Sequence, residues 1–357
     1  MSNIEAMDCT EEAVGWRSIP PEIKRNIITY LAFPDKQNMM LANWECSRIC
    51  ETIPNKLSEL GITEFPTTAK TTLVMKWKNE NGRLVSKMVE YRGREMRHQD
   101  CPDHTSQAMN AFVRLWRRSK IKTVLIEIPC FEGLSYLWEH QNYHTDSHVA
   151  VKVFNIRTND YRLVEFALRS AKNSKQDISL MANDHGGMET AIFDLEKIKK
   201  ANSVILWSLI SNIQDHQLTA LSAQNIRVSS QFLTSSSIVK ILRDWKSGKR
   251  KLERLHVSSP LLDLADIVNQ IGCTCWKNMT DICQVIWREV DEEGYTFATK
   301  GPKFDTPGAV GLIMSEGTPT FIFRIIKMTP SMSRLVSERC GSNCAEVRPQ
   351  YIEQASN

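Results

Sequence analysis

The chain carries little net charge and few residues that break regular structure. Its 357 residues include 45 Lys and Arg and 41 Asp and Glu, and the net charge of +4 is too small to indicate a nucleic-acid-binding protein. Only 13 Pro and 15 Gly are present, whereas 42% of the residues are hydrophobic. This composition excludes collagen-like and disordered chains and predicts a folded protein with a sizeable core.

Long apolar runs are also missing. No run approaches the roughly 18 residues that a membrane-spanning helix requires, and the polar, acidic N-terminus lacks the pattern of a secretion signal. We therefore expect no membrane partner and a location in the cytoplasm, the nucleus or both. In these compartments the 10 cysteines are expected to be reduced thiols and not a disulfide framework.

Signatures of catalysis and of metal binding are absent as well. The sequence has no phosphate-binding Gly-rich loop, no Gly-x-Ser-x-Gly elbow and no His-Glu-x-x-His motif, so we expect neither enzyme activity nor a cofactor. Two cysteine pairs lack the two-residue gap typical of structural zinc sites: Cys273 with Cys275, and Cys340 with Cys344. Three histidines spaced by four fit a polar loop better than a metal site: His140, His144 and His148.

The segment from Trp16 to Cys50 has the pattern of two or three short amphipathic helices. A helix is predicted to begin at about Pro21, because proline favours the first helical turn. Ile23, Ile27 and Leu31 then recur at i, i+4 and i+8 and form one apolar stripe with Tyr30 beside it. This stripe is expected to face either a partner or the core of a helical hairpin.

The other side of this first helix is expected to be wetter. Lys24 and Arg25 lie there, and Pro34 is expected to end the helix. Asp35 is predicted to cap a further helix, whose apolar positions again follow helical spacing: Met40, Leu41 and Trp44. Because a unit of about 40 residues has little interior, part of its apolar surface is expected to contact a partner or the next domain.

These residues resemble an F-box, whose opening pattern is Leu-Pro-x-Glu-Ile-x-x-x-Ile-x-x-x-Leu. Ile19 stands where leucine is usual, and the tryptophan often found after the serine of Ser47-Arg48 is absent, although Trp44 lies just before it. The resemblance implies docking onto a Skp-type adaptor and, through it, onto a cullin-RING scaffold. The implied adaptor contacts are Ile19, Pro20, Ile23, Ile27, Leu31 and Leu41.

A second domain is predicted to open near residue 70, after a Pro/Thr linker at residues 65–70. It begins with a hairpin that turns at Asn81-Gly82. Short apolar runs then alternate with amphipathic helical segments at intervals of roughly 20 to 28 residues. The predicted strands are Val124 to Ile128, Val149 to Phe154, Ile178 to Met181, Val204 to Leu209, Ile226 to Val228 and Leu252 to Val257.

We therefore predict an α+β protein in which an all-helical F-box precedes an irregular, leucine-rich-repeat-like β-α array that ends in a β-hairpin. An ordinary open α/β sheet is the alternative. Several segments also resemble the F-box-associated domain of diversified F-box families: residues 232–234, 240–246, 252–255 and 287–299, and a hairpin of residues 310–314 and 321–328 turning at Glu316-Gly317. The expected organisation is a tail at 1–15, the F-box at 16–60, the recognition domain at 70–330 and a tail at 331–357.

Alternation along the predicted strands suggests a binding surface on this second domain. If Val124, Val151 and Val153 point inward, their neighbours form an exposed ladder. The tentative substrate-binding residues are Glu127, Lys152, Phe154, Trp207, Arg227, Arg254 and His256. The other interpretation is that the two aromatic residues of this set pack under loops.

The expected function is that of a non-catalytic substrate receptor in an SCF-type ubiquitin ligase, which binds an unidentified client protein. One alternative is an adaptor-binding regulatory protein that does not ubiquitinate a client. The other is an RNA-associated solenoid that uses the basic runs at residues 114–122 and 243–254. We do not expect nucleic acid as the partner, because Trp116 and Trp245 in these runs fall at core positions of helices.

Overall fold

The computed structural model describes residues 16–92, 104–129, 150–172, 175–182, 189–206, 211–275, 295–299, 308–315 and 318–325. These residues form helices at the N-terminus followed by a large mixed sheet, which is an α+β architecture. The predicted α+β class is confirmed at this level.

The N-terminal module contains three α-helices after a 3-10 turn at Trp16–Ser18. These are α1 Pro21–Tyr30, α2 Phe33–Ala42 and α3 Trp44–Thr52. Pro34 and Asp35 both lie in the first turn of α2, so Pro34 begins that helix and does not end α1. Ala32 occupies the N-cap position predicted for Asp35. Asn43 caps α3, because its Oδ1 accepts a hydrogen bond from the Cys46 amide at 2.8 Å.

The rest of the described chain contains six further α-helices and two further 3-10 turns. The helices are α4 His104–Arg117, α5 Tyr161–Arg169, α6 Glu196–Lys199, α7 Asp215–Ala220, α8 Ser235–Lys246 and α9 Leu264–Ile271. The 3-10 turns are Pro66–Thr68 and Thr190–Asp194.

Within the described residues one sheet contains 13 strands. They are β1 Asn55–Phe65, β2 Lys70–Lys78, β3 Leu84–Arg92, β4 Ser119–Glu127, β5 Val153–Arg157, β6 Asp177–Met181, β7 Ser203–Leu206, β8 Asn225–Ser229, β9 Arg254–Ser258, β10 Thr274–Cys275, β11 Tyr295–Thr299, β12 Gly308–Ser315 and β13 Thr318–Ile325. Their spatial order is β10-β11-β12-β13-β9-β8-β7-β6-β5-β4-β1-β2-β3.

The middle of the sheet is parallel and both ends are antiparallel. Strands β4 to β8 each pair in parallel with the strand that follows in the chain, and β1 pairs in parallel with β4. The predicted hairpin is confirmed as β2 and β3, with Gly82 in its turn at φ +72°. The predicted C-terminal strands are confirmed as the antiparallel pair β12 and β13, whereas Glu316 and Gly317 lie outside the described residues.

Large aromatic side chains of the helices pack against one face of the sheet. The Trp116 ring of α4 lies 6.0 Å from Phe154 of β5, and the Trp245 ring of α8 lies 4.7 Å from Phe323 of β13. Both tryptophans are only 2% exposed, which confirms the core positions predicted for them. This face therefore holds the principal hydrophobic core.

The helical module is attached directly to the sheet. Phe33 of α2 is 6% exposed, and its ring lies 5.4 Å from Trp77 of β2. The Lys36 ammonium donates a hydrogen bond to the Ile53 carbonyl just before β1. The sheet begins at β1, inside the stretch assigned to the F-box, and the predicted linker at residues 65–70 is a turn between two paired strands.

Candidate functional site

Helix α1 has one buried side and one exposed apolar side. Lys24 is 2% exposed and Ile28 is fully buried, whereas Ile23 and Ile27 are 49% and 39% exposed. The prediction that Lys24 faces water is wrong. Its ammonium lies 2.7 Å from Glu45 of α3 and 5.8 Å from the centre of the Trp16 ring, so it joins the helices inside the module.

The predicted adaptor contacts on and beside α1 form a stripe that is exposed at its centre and partly buried at its ends, which we call the α1 stripe: Ile19, Pro20, Ile23, Ile27 and Leu31. Ile19 and Leu31 are partly buried, and Pro20 is exposed. Tyr30, which lies beside these residues on the helix, is 89% exposed. Such an arrangement can fill a hydrophobic groove on a partner protein.

Leu41, the last predicted adaptor contact, lies at the end of α2 and is 86% exposed. It lines an open groove of about 670 Å³ whose walls come from α2, β2, β3 and α4 and include Tyr91 and Arg114. Trp44, at the start of α3, is 72% exposed, and the Arg48 guanidinium lies 4.9 Å from the centre of its ring. Helical spacing places Trp44 among apolar helix positions, and only its exposure identifies it as a candidate contact.

The opposite face of the sheet from the core carries mostly polar side chains, and we call it the polar face. Its residues alternate along the strands with buried ones such as Ile226 and Leu255. Arg227 of β8 and Arg254 and His256 of β9 lie here on neighbouring strands. These three predicted substrate-binding residues are therefore brought together.

The remaining predicted substrate-binding residues do not join this group. Glu127 lies on β4, five strand positions from β9 or roughly 24 Å at normal strand spacing. Its carboxylate accepts a hydrogen bond from the Thr63 hydroxyl at 3.1 Å. Lys152 is exposed but precedes β5, and Trp207 lies outside the described residues.

The prediction that Phe154 belongs to an exposed ladder is wrong. Its side chain is fully buried and packs against Trp116. The prediction extends one alternation from Val149 onward, but β5 begins only at Val153, whose side chain lies on the polar face. Alternation holds within a strand and does not carry through the segment that precedes it.

A cluster of three arginines forms on the polar face, on the adjacent strands β8, β9 and β13. The register pairs Arg227 with His256, and Arg254 with Arg324 of β13. We define the arginine patch as these four residues together with two flanking residues, Ile205 and Ile322. Arg324 was not among the predicted residues, because only the three-dimensional strand order places β13 beside β9.

Burial and a neighbouring positive charge both act on the histidine of this patch. The pKa of His256 is lowered from 6.5 to about 4, first by burial of its ring and then by the positive charge of Arg227. By contrast, Lys76 and Glu59 form an ion pair of 2.7 Å near the other end of the same face. The imidazole of His256 is therefore neutral near pH 7.

Metal binding and membrane spanning find no support in the part of the chain that the structure describes. Those residues contain no group of three or more His, Cys, Asp and Glu side chains that could hold a metal ion. No described helix is long and apolar enough to cross a membrane. His140, His144 and His148 lie outside the described residues.

Comparisons with known proteins give no match from which a function could be assigned. No family model, no curated protein and no solved structure matches the chain. The functional assignment therefore rests on the α1 stripe and the arginine patch themselves.

Proposed function

We propose that this protein is the substrate-receptor subunit of an SCF-type ubiquitin ligase, working in the cytoplasm or the nucleus. Its N-terminal F-box binds a Skp-type adaptor, which connects it to a cullin-RING scaffold. The polar face of the sheet binds the client. The chain itself carries out no chemistry. It accelerates ubiquitin transfer by holding the client near the conjugating enzyme that carries ubiquitin.

The observation that carries this proposal is the exposure of the α1 stripe. An amphipathic helix in a globular protein normally turns its apolar side inward. In α1 the positions turned inward are Lys24 and Ile28, and the positions left outside are Ile23 and Ile27. The exposure of Ile23 and Ile27 supports an interface with a partner over core packing of a helical hairpin, because α1 is buried in the module mainly through Lys24 and Ile28.

The strand order supports the finer description of the recognition domain as a leucine-rich-repeat-like array. From β4 to β9 each strand lies beside the next one in sequence, without the reversal of order that divides a doubly wound sheet. Helical segments α5 to α8 separate most of these strands. Each β-α unit then buries its apolar side chains against its neighbours, as solenoid repeats do.

Adaptor binding by full-length variants tests the proposal. Ile23→Asp places a charge in the stripe, and we expect it to weaken binding of a purified Skp-type adaptor by about tenfold or more in calorimetry. Thr29→Asp is the matched control, because Thr29 is exposed and lies about 120° around the helix from Ile23. Equal binding by both variants and the unmodified chain would remove the α1 stripe as the interface.

Reconstituted ubiquitin transfer separates a receptor from a regulatory adaptor-binding protein. The assay contains the adaptor, the cullin-RING scaffold, a conjugating enzyme loaded with ubiquitin, and a client bound by this chain. A receptor gives client ubiquitination that Ile23→Asp abolishes. Tight adaptor binding without transfer to any bound client would instead indicate the regulatory protein.

A further inference from the structure

The groove beside Leu41 lies where the layer of helices stops short of the end of the sheet. On β2 the side chains that face the helices are buried, among them Leu73 and Met75. β3 is the last strand at this end, and its residues on the same face, Val89 and Tyr91, pack against the core but are only partly buried. Within the described residues this face of β3 is therefore incompletely covered. The open space of about 670 Å³ beside it is called the α2–α4 groove.

Helix α4 presents a second apolar strip to this groove. Its core side carries fully or almost fully buried residues such as Phe112 and Trp116. Ala111 and Leu115, one turn apart on another side of the helix, are only partly buried and line the groove. The facing wall comes from α2 and includes Leu41. Two helices that flank a floor of strands and leave apolar side chains between them provide a seat for a third helix.

The charged side chains of the groove are of one sign. Its lining includes Lys87 of β3 and Arg114 of α4, both exposed, and it includes no Asp or Glu. In the part of the chain that the structure describes, neither of these cations forms an ion pair, whereas Lys76 of the neighbouring β2 is paired with Glu59. A ligand in the groove therefore meets positive charge from both β3 and α4, which is complementary to acidic side chains.

A helix fits this groove better than a small molecule or a nucleic acid. Small-molecule sites enclose most of the surface of their ligand, whereas this groove is open. Two cations are too few for the row of phosphate contacts on which nucleic-acid binding depends. A phosphate backbone would also leave the partly exposed side chains of Val89 and Leu115 in contact with water.

We propose that the α2–α4 groove binds an acidic amphipathic helix of a partner protein. Successive side chains on the apolar side of that helix, spaced by three or four residues, pack against Leu41, Val89 and Leu115. Carboxylates beside this apolar side pair with Lys87 and Arg114. This docking surface includes β3 and α4, outside the α1 stripe, and does not depend on adaptor binding, so the inference goes beyond the proposed function.

Fluorescence anisotropy with the full-length chain tests the groove. The probe is a labelled peptide of about 16 residues in which leucines follow helical spacing and glutamates flank them. One control peptide carries lysine in place of glutamate, and the other has the same composition with the leucines spread around the helix. We expect the glutamate peptide to bind about tenfold or more tightly than either control. Equal binding of the three peptides, or no binding of the glutamate peptide at about 1 mM, overturns the inference.

Charge reversal locates the binding. Lys87→Glu with Arg114→Glu is expected to reverse the preference, so that the lysine peptide binds about tenfold more tightly than the glutamate peptide. The matched control, Lys120→Glu with Arg83→Glu, makes the same change at exposed positions that do not line the groove, and we expect it to retain the glutamate preference. A glutamate preference that persists after reversal of Lys87 and Arg114 overturns the assignment.

Circular dichroism melting of both pairs identifies a folding defect. If the reversed pair is impaired, Lys87→Gln alone repeats the measurement. We expect it to weaken binding of the glutamate peptide by about threefold, because one ion pair at an exposed site is lost. Unchanged affinity of this variant overturns the assignment.

Sedimentation of the chain without peptide distinguishes a partner protein from a second copy of the chain. We expect a monomer at micromolar concentration. A dimer that Lys87→Glu with Arg114→Glu dissociates would place a second copy in the groove and overturn the inference.

The adaptor assay keeps this inference separate from the proposed function. Leu41 belongs both to the predicted adaptor contacts and to the groove, so the variants change only Lys87 and Arg114. A chain that binds the adaptor but does not prefer the glutamate peptide contradicts the groove inference alone. A chain that prefers the glutamate peptide but binds no adaptor contradicts the ligase function and retains the groove as a helix-binding site.

Discussion

Lys24 determines which side of α1 faces the interior. Its aliphatic stem is covered by the module, and its ammonium reaches Glu45, whose side chain is 40% exposed. A lysine can bury its methylene groups when its charged end finds a partner. Hydrophobicity alone assigns Lys24 to the water side, because the position of Glu45 on another helix is not visible in the local pattern.

Truncation of the two adjacent isoleucines of α1 tests this orientation. Ile28 is fully buried with Cys50 and Ile53, so Ile28→Ala is expected to lower the free energy of unfolding by about 2 to 4 kcal/mol. Ile27 is 39% exposed, and Ile27→Ala is expected to cost less than about 1 kcal/mol. Urea denaturation measures both values. A larger loss at Ile27 than at Ile28 would reverse the proposed orientation of α1.

The pKa of His256 predicts a pH dependence of stability. Because this pKa is about 4 in the folded chain, the unfolded state binds a proton first as the pH falls below about 6.5. The stabilisation is complete above pH 6.5 and is lost between about pH 6.5 and 4. We expect His256→Asn to reduce this acid-induced loss by about 1 to 3 kcal/mol in denaturation curves. Parallel curves for both proteins would contradict the assigned environment of His256.

The hairpin of β2 and β3 depends on the backbone conformation of Gly82. Its φ of +72° is unfavourable for residues with a Cβ atom, although a Cβ there would meet no atom within 4 Å. Gly82→Ala is expected to cost about 1 kcal/mol of unfolding free energy, and Gly82→Asn less, because asparagine tolerates this conformation. Thermal melting compares the three proteins. A loss for Asn as large as that for Ala would argue against a purely backbone effect.

Elements in the repeated part of the chain were predictable from local pattern. The strands of residues 178–181, 226–228 and 252–257 correspond to β6, β8 and β9, because consecutive apolar residues with turn signals mark buried parallel strands. Strand β1 was missed, since its Glu59 and Glu64 weaken the apolar signal and its partners β2 and β4 follow it in sequence. Pairing with later strands makes this segment a strand.

Attachment of the helical module to the sheet is a property of the whole molecule. Phe33 packs against Trp77 and belongs to the sheet's core cluster. Phe33→Ala is expected to lower the unfolding free energy by about 3 to 5 kcal/mol. Phe65→Ala is the matched control, because Phe65 is 44% exposed and its loss should cost less than about 1 kcal/mol. Similar losses in denaturant titrations would mean that Phe33 does not anchor the module.

The candidate sites were only partly predictable, because one of them depends on the three-dimensional order of the strands. The stripe from Ile23 to Leu31 follows from helical spacing in one short segment. The arginine patch combines β7, β8 and β9 with β13, whose Arg324 lies 70 positions after Arg254 in the chain. No local pattern specifies that pairing, because it depends on how the C-terminal strands close the edge of the sheet.

Amide hydrogen exchange of the full-length chain, with and without a Skp-type adaptor, tests whether the N-terminal helices bind the adaptor. We expect slower exchange in α1, Pro21–Tyr30, when the adaptor is bound, and unchanged exchange in β8 and β9, which carry the arginine patch. Unchanged exchange throughout α1 at saturating adaptor, or protection confined to β8 and β9, would contradict docking through the N-terminal helices.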